Sequence, residues 1–302
     1  MNIKVDGVVV TYNRLSLLKE CLTALLDQEY PLNKIYVINN NSTDETASYL
    51  RKISKKYPTI IPVNLKKNVG GAGGFNVGLK FFMKKSNADY AWIMDDDTIP
   101  SKSALSNLIN KISDISNLGF LCSNVKWKDN TAAQMNVPQT EKNWNEKADL
   151  GLIKVKSASF VSILFPRKVI EKVGYPITDF FIWGDDVEFT SRITKFGFEG
   201  YLSNDSIVEH KIKSNIATNI VLEKDINRVK RYYYANRNYI YTNRKLGSKK
   251  ELFKAYISKG IFEPIKILKN AEDHKFYRLK VSFKGTIKGM TFHPKVEKYR
   301  KL

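Results

Sequence analysis

Short apolar runs alternate with helical patterns through the first half of this 302-residue chain, and that alternation limits its fold more than any other feature. It is the signature of strand–helix–strand units built around a mostly parallel sheet flanked by helices. Val5–Thr11 reads as the first strand. Leu15, Leu18, Cys21, Leu22, Leu25 and Leu26 then recur at helical spacing, and residues 34–38 form a second strand ending in Asn39-Asn40-Asn41. A helix over 43–57, a strand over 60–65, a helix over 78–85 and a strand over 90–94 complete the alternation. The last of these runs directly into Asp95, Asp96 and Asp97. Those carboxylates therefore stand at the carboxyl end of a strand, the edge at which open α/β sheets bind ligands. Beyond a helix at 101–112 the periodicity weakens. Strand-like pieces at 120–125 and 160–165 complete the sheet, a short helix spans 168–173, and Trp183 leads into a helix that runs through Phe196. Residues 201–210 form a last strand and loop, and from about residue 222 the pattern is helical.

With 43% hydrophobic residues the chain can build one large domain, or a catalytic domain with an appendage. The expected division is a catalytic domain over 1–220 and a basic helical region over 221–302. Lys4 and Asp6 run into Val8-Val9-Val10 without a charged and then apolar leader, so secretion is not expected. No run approaches the roughly 20 apolar residues that cross a bilayer, and Cys21 and Cys122 offer neither a disulfide framework nor metal-site spacing. A reducing cytoplasm fits. Charge is uneven. Residues 1–210 hold 26 Lys+Arg against 23 Asp+Glu, whereas 211–302 hold 24 against 7. Such a tail seeks anionic surfaces, whether nucleic acid, acidic lipid or a diphosphate-linked substrate.

Three adjacent carboxylates behind a buried strand repel one another unless a cation compensates. Oxygen ligands favour Mg²⁺ or Mn²⁺. On an extended segment Asp95 and Asp97 point to one side and Asp96 to the other. A solvated acidic turn, or a cap for the helix that follows, is the plainer alternative. Asn68-Val-Gly-Gly-Ala-Gly-Gly-Phe75 places Gly70, Gly71, Gly73 and Gly74 between a strand and a helix, where the backbone can approach an anionic ligand closely. It lacks the P-loop lysine and the dinucleotide fingerprint spacing, and a flexible loop is its alternative. Trp183-Gly-Asp-Asp-Val-Glu188 is a second acidic group, able to supply a general base or merely to cap a helix. His210, one of three histidines, closes an apolar strand and suits a further ligand for a metal carried by Asp95 and Asp97, with a surface or satisfied core histidine as the plainer alternative.

Together Val8-Val-Val-Thr-Tyr-Asn-Arg14, Asn40-Asn-Ser-Thr-Asp44, the glycine-rich segment, Asp95-Asp-Asp97, Trp183-Gly-Asp-Asp-Val-Glu188 and His210 resemble the family 2 inverting glycosyltransferases of GT-A fold, over residues 1 to about 245. The glycine-rich segment and Arg231-Tyr-Tyr-Tyr-Ala-Asn-Arg-Asn238 look most like the bacterial galactofuranosyltransferases, with rhamnosyltransferases close by. The resemblance implies that Thr11, Asn13 and Arg14 line the nucleotide pocket and that Asn39, Asn41 and Asp44 contact uracil and ribose. Many relatives carry Asp where this chain has Asn39. Asp95, Asp97 and His210 would ligate Mn²⁺ or Mg²⁺ between the donor phosphates, with Asp96 toward the ribose or donor sugar and Asn68 and the glycines at the donor. Asp186 would be the catalytic base, Asp185 would position the acceptor, and Trp183 would stack on a sugar ring. The implied substrates are a UDP-sugar, UDP-galactofuranose in this branch, and a lipid-linked or oligosaccharide acceptor of the cell surface. dTDP-rhamnose or a UDP-hexose is the alternative donor.

In the tail, Ile257, Ile261, Ile265 and Leu268 share one helical stripe with Lys254, Lys259, Lys266 and Lys269 around it. That suits an anionic membrane surface on the inner face of the cell membrane. Packing of the stripe on the catalytic domain, or a homo-oligomer formed through it, are the alternatives. The basic tail also permits a nucleic-acid-binding protein, but no nucleic-acid motif occurs, and the two acidic groups have no use there.

Overall fold

The first strand, β1 (Val5–Thr11), is buried along its whole length, as a strand covered on both faces must be. Around it the chain lays down α1 (Leu15–Leu26), β2 (Lys34–Asn39), α2 (Thr46–Lys56), β3 (Ile60–Asn64), α3 (Gly70–Lys85) and β4 (Tyr90–Asp95). A short β5 (Thr98–Pro100) and α4 (Ala104–Asn110) follow, then β6 (Leu118–Lys126), β7 (Gln139–Thr140), β8 (Leu152–Ser157) and β9 (Ile163–Pro166). The helices α5 (Arg167–Val173) and α6 (Asp185–Lys195) precede the long β10 (Glu199–His210). In this computed structural model, which describes residues 3–300, the strands join one sheet of order β3-β2-β1-β4-β9-β6-β10-β8-β7, with β5 pairing to β10.

Alternation along β1 explains why both faces carry a core. Val8 and Val10 pack with Phe75, Leu79 and Phe82 of α3 on one side. Val5 and Val9 pack with Leu18, Leu22 and Leu25 of α1 and Leu105 and Leu108 of α4 on the other. Each such leucine contributes roughly 1.5–3 kcal/mol through its burial. Cys21 and Cys122 are buried free thiols within these cores.

The expectation of a mostly parallel sheet holds for β3, β2, β1 and β4, which run parallel in register. Beyond them β6 and β10 also pair parallel, while β9 runs antiparallel to both β4 and β6, and β8 antiparallel to β10, so the sheet as a whole is mixed. The parallel half needs helical crossovers, which the first hundred residues supply. Irregular chain between β6, β7, β8 and β9 lets those strands reverse, whereas α5 and α6 lead from β9 into β10.

The basic region folds as α7 (Ile226–Val229), α8 (Tyr232–Leu246), α9 (Lys249–Ile257), α10 (Glu263–Asn270) and α11 (Lys275–Thr291), with a π turn at Ser258–Phe262 joining α9 to α10. α11 lies along α8, its Gly285 and Gly289 facing Tyr233 and Ile240 so closely that no side chain would fit. No helix among the described residues is long and apolar enough to cross a membrane.

Candidate active site

β4 ends at Asp95, and the next two residues turn before β5 begins. The triplet is therefore not one extended segment, and the expected alternation of its side chains fails. Asp96 and Asp97 both reach Arg14, whose Nη1 lies 3.4 Å from Asp96 Oδ1 and 2.5 Å from Asp97 Oδ2. Thr11 at the end of β1 donates its hydroxyl to Asp96 Oδ2 at 2.7 Å. The register of β1 on β4, Val10 opposite Asp95, fixes that meeting.

The turn carries Asp97 toward β10. There β5 pairs antiparallel with β10, Thr98 opposite His210, and His210 Nε2 stands 3.2 Å from Asp97 Oδ1. The other ring nitrogen, Nδ1, lies 2.7 Å from the amide oxygen of Asn136, an acceptor, so Nδ1 carries the hydrogen and donates. In the neutral ring Nε2 then presents a lone pair. It faces Asp97 Oδ1, a buried oxygen with no hydrogen-bond donor. Two acceptors facing each other in a buried place call for a cation between them: a proton, which makes the contact an ion pair that lowers Asp97, or a divalent metal such as Mn²⁺, which an imidazole nitrogen and a carboxylate oxygen can share as ligands. Among the described residues no three His, Cys, Asp or Glu side chains converge to hold an ion; of the expected set of Asp95, Asp97 and His210, Asp97 and His210 stand in contact, and Asp95 lies near enough for the Asp97 charge to act on it.

Electrostatics separates the three carboxyls. Burial and the charges of Asp97 and Asp96 push Asp95 well above the ordinary carboxylate range. Burial raises Asp96 to about 6, against the pull of Arg14. Asp97 is buried too, but His210 and Arg14 outweigh burial and hold it below the usual range. One guanidinium for three carboxyls leaves the pocket short of positive charge.

The second acidic group sits at the start of α6, where Asp185, Asp186 and Glu188 occupy the first turn and favour the helix dipole. Burial, with the neighbouring Asp186 charge, pushes Asp185 up to about 8; burial lifts Asp186 to about 6. The two carboxyls titrate as one buried, interacting pair, and burial favours a proton on Asp185 over one on Asp186.

The loop leading to them is strained. Phe181, Trp183 and Gly184 all have positive φ, at 64°, 61° and 85°, a conformation that non-glycine residues adopt at a cost. What holds it comes from α8. The buried Asn238 donates Nδ2 to the carbonyls of Phe180, Ile182 and Trp183 at 3.1, 3.3 and 2.7 Å, and Arg237 Nη2 donates to those of Asp179 and Phe180 at 2.6 and 3.2 Å. Trp183 packs edge-on against Tyr232, ring centroids 5.0 Å apart.

The loops after β1 and β2 are tied to each other. Asn13 Oδ1 accepts from the Thr43 amide at 2.7 Å, and the Asn13 amide donates to Ser42 Oγ. Asp44 accepts from the amides of Leu15 and Thr46, joining the starts of α1 and α2. Asn39 is occupied internally, its Nδ2 donating to Asn64 Oδ1 at 2.8 Å and its Oδ1 accepting from the Ser42 amide. Asn41, with φ 62°, is exposed on the same rim.

The glycine-rich segment is not a loop. Gly70, Gly71, Gly73 and Gly74 form the first turns of α3, which starts eight residues earlier than its sequence suggests. A Cβ at Gly74 would stand 2.5 Å from Val10 Cγ1, so Gly74 lets α3 approach β1, whereas one at Gly73 would stand 2.6 Å from Val69 Cγ2 at the start of the same helix. Only Gly71 faces open space. Asn68 accepts from the Gly70 amide, while Asn40 accepts from the Val69 amide and donates to the Gly70 carbonyl, fixing the helix start.

Asn40, Asn136, Arg237 and Asn238 escaped assignment from sequence. Asn40, Arg237 and Asn238 lie inside segments already singled out; Arg237 and Asn238 are polar side chains in an otherwise aromatic and apolar run, whereas Asn40 stands among other asparagines. Asn136 has no local signal.

A profile of glycosyl transferase family 2 matches residues 7–174. The poly-beta-1,6-N-acetyl-D-glucosamine synthase of Staphylococcus epidermidis is 24% identical over 207 residues, 65% of this chain and 48% of the synthase. The chain thus spans about half the length of the curated relatives it matches. Among solved structures, the mannosyltransferase PcManGT from Pyrobaculum calidifontis, in complex with GDP-Man and Mn²⁺, has a TM-score of 0.59 at 17% identity, over 96% of this chain and 76% of that one. Residues 1–349 of Staphylococcus aureus TarS with UDP-GlcNAc give 0.61 at 15%, over 95% and 81%.

Proposed function

The chain belongs to glycosyl transferase family 2, and from that premise we propose that it transfers a sugar from a nucleoside diphosphate donor to a hydroxyl of a growing cell-surface glycan. Its mixed sheet flanked by helices is the GT-A arrangement. The observation that carries the proposal is the buried Asp97 Oδ1 facing His210 Nε2 just beyond the ligand edge of β4.

In this reading the donor lies over the ends of β1 and β4, its nucleoside along the Asn13, Asn41 and Asp44 rim and its diphosphate toward Arg14, Gly71 and the Asp97–His210 pair. Mn²⁺ or Mg²⁺, bound at that pair, would balance the charge of the diphosphate. Asp186, as the carboxylate, takes the proton of the acceptor hydroxyl. A bond forms from that oxygen to the anomeric carbon as the bond to the diphosphate breaks, and the configuration inverts. Asp185, protonated beside it, donates a hydrogen bond to the acceptor, and Trp183 offers it an apolar face.

The branch motifs at 68–75 and 231–238 favour UDP-galactofuranose as donor. UDP-GlcNAc is the second reading, because a poly-N-acetylglucosamine synthase and a protein bound to UDP-GlcNAc are among the relatives and neighbours. Asp186→Asn separates binding from transfer and serves both questions. The variant should turn over about 10²–10⁴-fold more slowly while still showing a metal-dependent thermal shift with its donor. Near-normal turnover removes Asp186 as base. A shift with UDP-GlcNAc or dTDP-rhamnose but not with UDP-galactofuranose overturns the first donor, and no shift with any nucleotide sugar overturns the function.

A further inference from the structure

We propose that the outer face of α9, α10 and α11 is a docking surface for a bilayer bearing anionic headgroups. Along the nearly continuous helix of α9, the π turn and α10, Phe253, Ile257, Ile261, Ile265 and Leu268 follow each other at intervals of four, four, four and three residues. All but Ile257 are exposed, Phe253 by 64%. The inward positions are Ala255, Pro264 and Ile267. This stripe does not pack on the catalytic half.

A second stripe, without counterpart in the sequence reading, runs down the packed neighbour α11. Phe276, Phe283, Ile287 and Met290 repeat at helical spacing and are exposed, Phe276 by 85% and Ile287 by 60%. Lys280, Lys284 and Lys288 stand beside them, exposed at intervals of four. The buried side of α11 is held elsewhere, by Gly285 and Gly289 against α8 and by Arg278, whose guanidinium bonds the carbonyls of Ile220 and Glu223. Large apolar side chains in helical rows, flanked by lysines and facing away from every core, are the pattern of an interfacial helix, whose aliphatic and aromatic groups enter the headgroup boundary.

Charge selects the occupant. Lys249, Lys250, Lys254, Lys266, Lys269, Lys280, Lys284 and Lys288 are exposed and belong to none of the ion pairs among the described residues. The acids nearby are mostly committed: Glu251 to Lys156, Glu263 to Lys259 and Asp273 to Arg278. Eight unpaired ammonium groups around apolar rows fit acidic lipid better than a second copy of the same basic face, which would repel itself.

The test is co-sedimentation of the full chain with phosphatidylcholine vesicles, with and without phosphatidylglycerol, at low and physiological salt. No sugar transfer is read, so the result is independent of the proposed activity. Binding to the anionic vesicles that weakens with salt is expected. Lys280→Glu/Lys284→Glu/Lys288→Glu should reduce it roughly a hundredfold, and Phe276→Ser/Ile287→Ser about tenfold or more, both with unchanged melting temperature because the residues are exposed. No binding, or equal binding to neutral vesicles, overturns the proposal. So does a concentration-dependent dimer, seen by light scattering, that the Phe276→Ser/Ile287→Ser chain no longer forms while vesicle binding is absent.

Discussion

Asp185 and Asp186 are neighbours on one helix turn, yet burial pushes Asp185 further up than Asp186. Asp185 is almost fully enclosed and feels the charge of Asp186, whereas Asp186 has the Val187 amide at 2.7 Å to stabilise its anion. The proposed roles, Asp186 as base and Asp185 as hydrogen-bond donor, rest on that difference. The sign of the linked stability effect follows. A carboxyl whose folded pKa is raised stabilises the fold while protonated, fully so below its unfolded value near 4, and that stabilisation fades as pH rises toward about 8. The metal-free chain should therefore lose melting temperature between pH 5 and pH 8. Asp185→Asn, which cannot ionise, should make the slope shallower, the remainder coming from the raised Asp95, Asp96 and Asp186. An identical slope in the variant would show that Asp185 does not titrate in this window. Residue types at this scale were legible, since Asp95 to Asp97, Asp185, Asp186 and His210 all drew notice as acids or an imidazole in unusual company. Their partners were not. That His210 faces Asp97 depends on β5 pairing with β10, a contact across more than a hundred residues that no local pattern encodes.

Elements were legible where burial alone decides them. β1, α1, β2, β3 and β4 fall within a residue or two of their expected bounds, because period two and period 3.6 are imposed by the two cores on either side of the sheet. α3 was not, because glycine's weak helix propensity makes 70–74 look like a loop. Close packing overrides that propensity, as contact with Val8 and Val10 of β1 leaves no space for a Cβ at Gly78 or Gly74. α8 is the other element whose role is tertiary. It reads as an ordinary aromatic and basic helix, yet Asn238 spends both Nδ2 hydrogens on three carbonyls of the Phe180–Trp183 loop. Asn238→Ala would take that donor from the Ile182 and Trp183 carbonyls, while Phe180 keeps Arg237 and the Ile182 amide, and should cost about 1–3 kcal/mol in chemical denaturation. Because the loop is held at positive φ against its preference, turnover should fall further than stability explains, while Asn238→Asp should retain the loss, having no hydrogens to give. Unchanged turnover in the alanine variant would mean that the loop keeps its shape without α8.

Across the whole molecule the boundary at residue 220 proves less clean than charge implies. The basic half reaches back over the catalytic half at several points. Phe292 and Val296 pack with Ala72, Ile177, Phe180 and Tyr241 in one apolar cluster. The Glu297 carbonyl accepts from the Tyr175 amide at 2.9 Å, and its carboxylate pairs with Lys80 on α3. Tyr299 packs against the main core, and Arg237 holds two carbonyls of the 179–180 turn. Composition could not reveal this, since a lysine-rich tail has the same charge whether it dangles or straps the sheet. The consequence is that residues 1–220 should not fold as an independent domain. Removing 221–302 would uncover Ile177 and Phe180, orphan the carbonyls now held by Arg237 and Asn238, and free the loop that carries Asp185 and Asp186. The fragment should show no cooperative melting transition and no thermal response to a nucleotide sugar with Mn²⁺, while the full chain should melt in a single transition. A fragment that melts cooperatively and binds a donor as the full chain does would restore the two-part division, and would reduce the helical region to a membrane-facing appendage with no part in shaping the site.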